Sequence, residues 1–281
     1  MAITRYRITR GVGKYVSLIL LSVLVLVMIF PLFMITMTSF KSESEYYAGG
    51  PLALPKGLDF TMLAYTWKST DYSRLLMNSL IISICAAFIA VGLSVLTAYA
   101  LAIGKIKGRA FILLFFMMAM TLPAESLIYP AYYFFKAVKL YDNLISVILL
   151  EAALSASFGT YLLTSVFKAF DKDIIESAMI DGCSKLQILL RMLIPLNLPS
   201  IAVLLVFFFV GTWNDFFIPL IMLISSKNYT VPVAMAMARG EHNVTITLQS
   251  SAALLGVIPC IIFFVLFQRS LTRGLTAGSI K

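Results

Sequence analysis

Histidine occurs once in this chain, as His242, and cysteine three times, at Cys85, Cys183 and Cys260. A single imidazole, in a polar loop without cysteines or clustered acids at ligand spacing, excludes the usual zinc sites, so no metal ligand is assigned. Two of the cysteines fall inside apolar runs and the third in a polar loop, so no disulfide framework is implied. Charged residues make up only 12% of the sequence, against about 25% in soluble domains. No Gly-x-x-x-x-Gly-Lys-Ser/Thr stretch is present, so the chain has no phosphate loop with which to hydrolyse ATP. It also lacks a Gly-x-Ser-Gly with a histidine partner, and paired aspartates in facing spans, which removes the intramembrane proteases. No catalytic residue is assigned, and the chain reads as a non-enzyme.

What fills the sequence instead is apolar: 60% of its residues are hydrophobic. Six runs approach or exceed the roughly 20 residues that a membrane span needs. They cover residues 15–37, 77–103, 110–135, 143–167, 200–224 and 249–267. The first is longer than a signal-peptide core and has no small-x-small cleavage site, so it reads as an uncleaved span. The expectation is an all-α integral membrane protein of six transmembrane helices. Residues 1–72 form a leading segment with the first helix and a long polar loop, turned at Gly49-Gly50-Pro51 and Pro55-Lys56-Gly57. Residues 73–268 form the core and contain a polar loop at 171–199, and residues 269–281 form a tail. Pro123 and Pro130 are expected to break the third run.

The net charge of +9 is therefore read loop by loop and not as a nucleic-acid footprint. Arg5, Arg7, Arg10 and Lys14 share one side of the membrane with Lys105, Lys107 and Arg109, with Lys168, Lys172, Lys185 and Arg191, and with Arg269, Arg273 and Lys281. The other side holds Lys136, Lys139, Lys227 and Arg239, and a first loop whose bases are balanced by acids. The positive-inside rule then puts both termini and the 171–199 loop in the cytoplasm.

That loop has a readable local grammar. Asp173, three residues before Glu176, is the expected N-cap of a short helix starting near Ile174. Gly182 can end it in a left-handed conformation. Ser184-Lys185-Leu186-Gln187 reads as a capping box opening a second short helix, which Pro195 and Pro199 stop or kink. The product is a helix–turn–helix too polar for lipid and too short for a domain, suited to docking in a partner's groove.

Glu176, Ser177, Ala178, Asp181, Gly182, Ile194 and Pro195, with Pro199 after them, resemble the Glu-Ala-Ala signature of ABC importer permeases, the binding-protein-dependent inner membrane components. Ser177 stands where a second alanine is usual, and Cys183 where a small residue, often alanine, is usual; both remain small. Trp213-Asn214-Asp215 followed by Pro219-Leu220 is similar to a motif of the carbohydrate-uptake branch. The ending Gln268-Arg269-Ser270-Leu271-Thr272-Arg273-Gly274-Leu275-Thr276-Ala277-Gly278-Ser279-Ile280-Lys281 resembles that of maltose-permease-type second subunits, and Ser39-Phe40-Lys41 also resembles the sugar-importer branch. The resemblance implies a type I ABC importer permease fold in a bacterial or archaeal cytoplasmic membrane. It further implies a heterodimer with a second permease, two ATPase subunits that bind ATP and Mg, an extracytoplasmic sugar-binding protein, and a sugar, most simply an oligosaccharide, as cargo. The Glu176–Pro195 segment would be the ATPase-coupling element. The tail residues Arg269, Arg273, Gly274, Leu275, Thr276, Ala277 and Gly278 would reach the ATPases, with Gly274 and Gly278 letting the backbone lie extended.

A charge in mid-span costs at least about 2.5–3.5 kcal/mol, so Asp215 must face a partner or a water-filled path. Trp213, Asn214 and Asp215 are candidate path residues. The alternative is that Asp215 caps a turn beside a broken helix, and both readings stand at this point. Glu125, between Pro123 and Pro130, is either a gate or a group that satisfies backbone freed at a kink. Glu151 poses the same choice. An ion-gradient-driven secondary transporter is the rival function; it could use Asp215, Glu125 and Glu151 as a relay but leaves the 171–199 loop and the tail unexplained. The tyrosines Tyr129, Tyr132 and Tyr133 read as interfacial anchors.

Overall fold

The computed structural model describes the backbone of residues 2–104, 106–238 and 245–277, and the side chains of residues 14–104, 106–171, 173–237 and 245–268. Lys105, Arg239, His242 and Gly278 lie outside the described residues. Among the described residues every regular element is helical. In order they are α1 (Ala2–Ser39), α2 (Glu43–Gly49), α3 (Thr61–Ser69), α4 (Tyr72–Ala102), α5 (Arg109–Thr121), α6 (Ala124–Ala137) and α7 (Leu144–Lys168). There follow α8 (Lys172–Ile180), α9 (Lys185–Ile188), a π turn (Leu189–Leu193), α10 (Ile194–Leu196), α11 (Leu198–Asn214), α12 (Phe217–Met222), a 3-10 turn (Ser226–Asn228), α13 (Val231–Ala238) and α14 (Ile246–Ala277).

Four helices are long and apolar enough to cross a membrane alone: Lys14–Ser39 of α1, then α4, α7, and Ile246–Gln268 of α14. Two bent pairs raise the number to as many as six. The α5–α6 pair bends by 98°, and Lys185–Leu196 with α11 bends by 78°. The third run is thus broken, but only once. Leu122 is extended, with ψ 127°, because the ring of Pro123 disfavours helical geometry in the residue before it. Pro130 does not break the run as expected; it lies inside α6. The polar loop at 38–74 contains the short helices α2 and α3, and residues 226–248 contain α13, none of which hydropathy alone had indicated. The tail expectation is also corrected as far as Ala277, where the backbone is not extended, since α14 continues unbroken through Gly274.

The chain divides into two compact units. The first comprises Met1–Thr70 and Glu241–Leu255. Residues 14–31 of α1 are exposed along their whole length, as befits an apolar helix whose solvent is lipid. Beyond α1 the chain is fixed by Lys41, which has 0% of its surface exposed. Its Nζ donates to the carbonyls of Gly50 and Pro51 at 3.2 Å each and lies 5.9 Å from the Tyr46 ring. Buried cations need such partners; here they close the first loop onto α2. Phe40 packs edge-on against Phe60 at 5.2 Å.

The second unit, Asp71–Gly240 and Gly256–Lys281, is built around α4, α7 and α11. Half of the buried residues of α4 are small: Ser79, Ser83, Ala86, Ala87, Ala90, Ser94 and Ala98. Lipid gives helices no hydrophobic reason to associate, so close approach over small residues supplies the attraction. Ser94 shows the closeness. Its Oγ donates to Ala90 O at 2.7 Å on its own helix and to Ala156 O on α7 at 3.3 Å. Asn78 and Ser79 on α4 hold the stretch that leads into α13. Asn78 Nδ2 donates to the carbonyls of Lys227 and Tyr229 at 2.9 and 3.0 Å, and Ser79 Oγ accepts from Val231 N–H at 2.9 Å.

Asp142, in the short link between α6 and α7, fastens the far end of this unit. It has a left-handed φ of 57°. Its carboxylate accepts from the N–H groups of Ile224 and Ser225 at 3.0 Å each, from the Ser225 hydroxyl, and from Asn228 Nδ2 at 3.1 Å. Its own N–H donates to Met222 O at 3.0 Å. Burial pushes this carboxyl up, but the donors, Ser225 first, outweigh it and hold the group down at about 2, below its ordinary 3.8. A depressed carboxyl stabilises the fold in full above its unfolded value and loses that contribution as the pH falls through the folded one. The purified chain should therefore lose stability between pH 3.8 and about 2. Asp142→Asn should flatten that part of the pH profile and lower stability near neutrality by about 1–2 kcal/mol. Thermal unfolding in detergent across that range checks both; a variant profile parallel to the wild-type one would refute the role.

Candidate functional site

The segment from Asp171 to Asn197 is where the chain departs most from a membrane sequence. Asp171, not Asp173, caps α8: its side chain accepts from the N–H of Asp173 at 3.0 Å, and the helix begins at Lys172, two residues before the expected start. The acids Asp171, Asp173 and Glu176 lie at the helix start or one turn in, where negative charge complements the unsatisfied N–H groups. Ser177 is exposed and donates its hydroxyl to Asp173 O at 2.8 Å. The helix then ends as expected at Gly182, with φ 81°. Cys183 N–H reaches back to Ala178 O at 2.9 Å and Gly182 N–H to Met179 O at 3.1 Å, the two bonds of a Schellman turn. The capping box is present in both directions: Ser184 N–H donates to Gln187 Oε1 at 2.7 Å, and Gln187 N–H to Ser184 Oγ at 3.3 Å.

The second leg differs from expectation at Pro195. The helix neither stops nor kinks there; it widens into the π turn at Leu189–Leu193, with Ile194 N–H bonded to Leu189 O. Proline removes a donor and its ring clashes with the carbonyl four residues back, and a wider turn shifts the pairing by one residue. The sharp bend comes instead around Asn197, before Pro199 in the first turn of α11. Asn197 gives both its N–H and its Nδ2 to Leu193 O, at 3.0 and 2.9 Å.

One face of this element belongs to the core. Ile175, Ala178, Ile188, Leu189 and Leu193 are buried in the same cluster as Phe167 of α7, Val95 and Ala98 of α4 and Leu204 of α11. Tyr99, near the end of α4, donates its hydroxyl to Lys185 O at 3.0 Å, just beyond the turn. The opposite face is open. Glu176, Ser177, Asp181, Gly182 and Pro195 are exposed, and Ile194 is half-buried. So are large apolar side chains: Ile174, Met179, Leu186 and Leu190 are at least 44% exposed, and Ile180, at the tip beside the turn, is 86% exposed. The element is thus a hairpin with its root packed against three membrane helices and an exposed apolar tip. Tyr99 and Ile180 were not singled out from the sequence. For Ile180 the signal was there: a large β-branched residue directly before an Asp-Gly turn, on the face opposite Ala178.

The other candidates sit at a second break. α11 ends at Asn214, and Asp215 is extended with ψ 129°. Its Oδ1 accepts from Phe217 N–H at 3.0 Å and its Oδ2 from Ile218 N–H at 3.4 Å, at the start of α12. Asp215 therefore makes the turn-capping contacts. Trp213 is buried, stacks on Phe209 at 5.9 Å and donates Nε1 to Gly256 O at 3.2 Å, which ties α11 to α14. Asn214 is exposed, with Nδ2 on Val210 O at 2.8 Å. Glu125 is exposed in the first turn of α6, just after the Pro123 break. Trp213–Asp215 are consecutive at the α11–α12 break, whereas no hydrogen bond or ion pair joins them to Glu125 among the described residues. Side chains of Arg269, Arg273, Leu275 and Thr276 lie outside the described ones; their backbone is helical. No three His, Cys, Asp or Glu side chains converge on a common point among the described residues.

Residues 90–277 match the family described as binding-protein-dependent transport system inner membrane component. Over 99% of its length the chain is 30% identical to the inner membrane ABC transporter permease protein YcjP of Escherichia coli strain K12, covering 99% of that protein. It is 29% identical to the sulfoquinovosyl glycerol transport system permease protein SmoH of Agrobacterium fabrum, over 96% of this chain and 94% of that one. The fold superposes with a TM-score of 0.82 on a chain of a bacterial ABC transporter involved in the import of the acidic polysaccharide alginate, at 21% identity, covering 92% of this chain and 96% of that one.

Proposed function

The chain belongs to the binding-protein-dependent transport system inner membrane component family, and from that premise we propose that it is one of two permease subunits of an ATP-driven sugar importer. The observation that carries the reading is the Asp171–Asn197 hairpin, an exposed, apolar-tipped element rooted in α4, α7 and α11. Its partner is an ATPase subunit, which supplies the ATP and Mg2+ site that this chain's sequence does not encode. The loop charges put the hairpin and both termini in the cytoplasm, the side on which ATP is available. Closing of two ATPase subunits around ATP moves the hairpin; because Ile175, Ala178 and Ile188 are packed into the core, the movement reaches the membrane helices. The path then opens to an extracytoplasmic binding protein, accepts its sugar, and releases it inside when ATP is hydrolysed. A second, different permease completes the path. The tail residues Arg269 to Gly278 meet the ATPases.

The sugar assignment draws on the sulfoquinovosyl glycerol and alginate cargoes of the relatives and on the Trp213-Asn214-Asp215 motif. Exposed Asn214 and half-buried Asp215 offer amide and carboxylate groups to hydroxyls. Affinity isolation of the chain from native membranes in mild detergent tests the proposal. The expected result is co-purification of a second permease and an ATPase, with ATP hydrolysis raised by a sugar-loaded binding protein. Ile180→Asp should retain the second permease but lose the ATPase, because a charge at an apolar anchor costs about 2 kcal/mol or more. Isolation of the chain alone, with transport that follows an ion gradient, would replace this reading by a secondary transporter.

A further inference from the structure

Glu151 is the one carboxylate near the middle of α7, and only 7% of it is exposed. Its Oε2 accepts from Thr212 Oγ1 of α11 at 3.4 Å, while Oε1 is buried without a hydrogen-bond partner. The carboxyl stands against that of Asp215, at the gap between α11 and α12. Two acids therefore meet inside an apolar bundle, at the carboxyl end of a 17-residue helix, whose dipole adds further negative potential. Among the described residues no cation is bonded to either; α5, which packs on α7, has only Arg109 at its first residue, and α6, which packs on α12, carries Glu125, Tyr129, Tyr132, Tyr133 and Lys136. Between Arg74 and its end at Ala102, α4 carries no Lys, Arg or His; α7 has only Lys168 at its last residue; α11 and α12 have none, and α14 has none before Arg269. The other titratable groups of these helices are Tyr72, Cys85 and Tyr99 on α4, Tyr161 on α7 and Cys260 on α14.

Adjacent carboxylates in a medium of low dielectric cannot both stay ionised without a counter-charge. Asp215 has donors from Phe217 and Ile218; Glu151 has the Thr212 hydroxyl as its one protein donor and otherwise faces the Asp215 carboxyl. We propose that Glu151, Thr212 and Asp215 bind one monovalent cation, a hydron or an alkali ion, at the α11–α12 break. Both carboxyls and the Thr212 oxygen supply acceptor atoms, and a single positive charge leaves the site with the smallest net charge that two acids and one cation allow. Because the site joins α7 to the broken end of α11, cation binding stiffens the contact between the two helices. The inference concerns this chain's own folding and goes beyond the importer reading.

The test is thermal unfolding of the full chain, purified in mild detergent with its native partners, followed for this chain itself. Sodium, lithium and potassium chlorides are titrated against N-methylglucamine chloride at constant ionic strength, and pH is varied separately between about 6 and 8. Wild type should gain about 5 °C in melting temperature on saturation. Glu151→Gln and Asp215→Asn should both lose the response, and Glu151→Gln should melt in cation-free buffer at or above wild type, since an amide of the same size needs no counter-charge; Asp215→Asn gives up one of the two acceptors that cap α12 and is read by its loss of response alone. Thr212→Val should keep the response with about tenfold weaker half-saturation. A response to alkali ions assigns an alkali ion, and a response to pH alone assigns a hydron. Wild type and Glu151→Gln that behave alike in both titrations would overturn the site. Absence of an ATPase from the preparation would instead count against the importer reading and leave this result untouched.

Discussion

Gly159→Leu should leave little folded chain in the membrane. At Gly159 three helices come together: α7 itself, α4 through Ser94 and α11 through Phe208. A Cβ placed there would lie on Ser94 Oγ, 2.8 Å from Ser94 Cβ and 3.0 Å from Phe208 Cζ, where carbon atoms prefer about 3.5–4.0 Å. The hydroxyl cannot swing aside at no cost, because it is committed to Ala90 O and Ala156 O. Leucine adds four carbons, so α4 and α7 must separate along much of their length. Overpacking of this kind costs about 1–3 kcal/mol in soluble cores and sometimes more. In lipid the close approach is itself the attraction between the helices, so the loss compounds. The steady-state level in membranes should drop roughly tenfold or more, by quantitative blotting. Gly159→Ala should fall part of the way, although alanine ordinarily improves a helix. Adding Ser94→Gly should restore it, with a coupling of about 1 kcal/mol or more between the two sites. Wild-type abundance of Gly159→Leu would show that the contact carries no such weight.

How far the sequence foretold this arrangement differs from element to element. Hydropathy located the four helices long enough to cross alone and the apolar pieces of the two bent pairs, because lipid selects for long uncharged stretches whatever their packing. The Gly182 turn and the Ser184–Gln187 box were legible since their partners lie within five residues. Asp171 and Asp173 could not be told apart as caps: both are aspartates two residues apart, and the choice depends on which backbone N–H is left free. The route past Pro195 was hidden for a related reason. A proline predicts a missing bond, but whether the helix breaks or widens into a π turn depends on packing of Ile188, Leu189 and Leu193. Asp142, Tyr99 and the Glu151–Thr212 contact act over 61 to 86 residues of sequence separation, and no local pattern reports them. Gly274 was read by its intrinsic freedom, and the helix around it overrode that freedom.

Gly182→Val should separate transport from the presence of the protein. The glycine has φ 81°, where an L side chain brings its Cβ toward the following carbonyl at a cost of about 1–2 kcal/mol. A β-branched residue is worse still. No atom stands within 4 Å of a Cβ built there, so the penalty is one of backbone conformation and not of crowding. If the turn opens, the bonds from Cys183 to Ala178 and from Gly182 to Met179 are lost, and α9 loses its fixed direction from α8. The exposed Ile180 then no longer stands in a set position on the core beneath it. Since about 1.4 kcal/mol is a factor of ten in population, uptake and substrate-stimulated ATP hydrolysis should both fall by roughly ten- to thirtyfold. Membrane abundance should hold, because Ile175 and Ala178 lie on the N-terminal side of the turn and remain buried. Gly182→Asn should lose far less than Gly182→Val, as asparagine accepts the left-handed region more readily, and Gly182→Ala should lie between them. That order, measured as uptake per unit of permease, is what a conformational requirement predicts. Equal losses for valine and asparagine would point to contact with the partner at this position, and normal uptake with valine would remove the turn from the coupling route altogether.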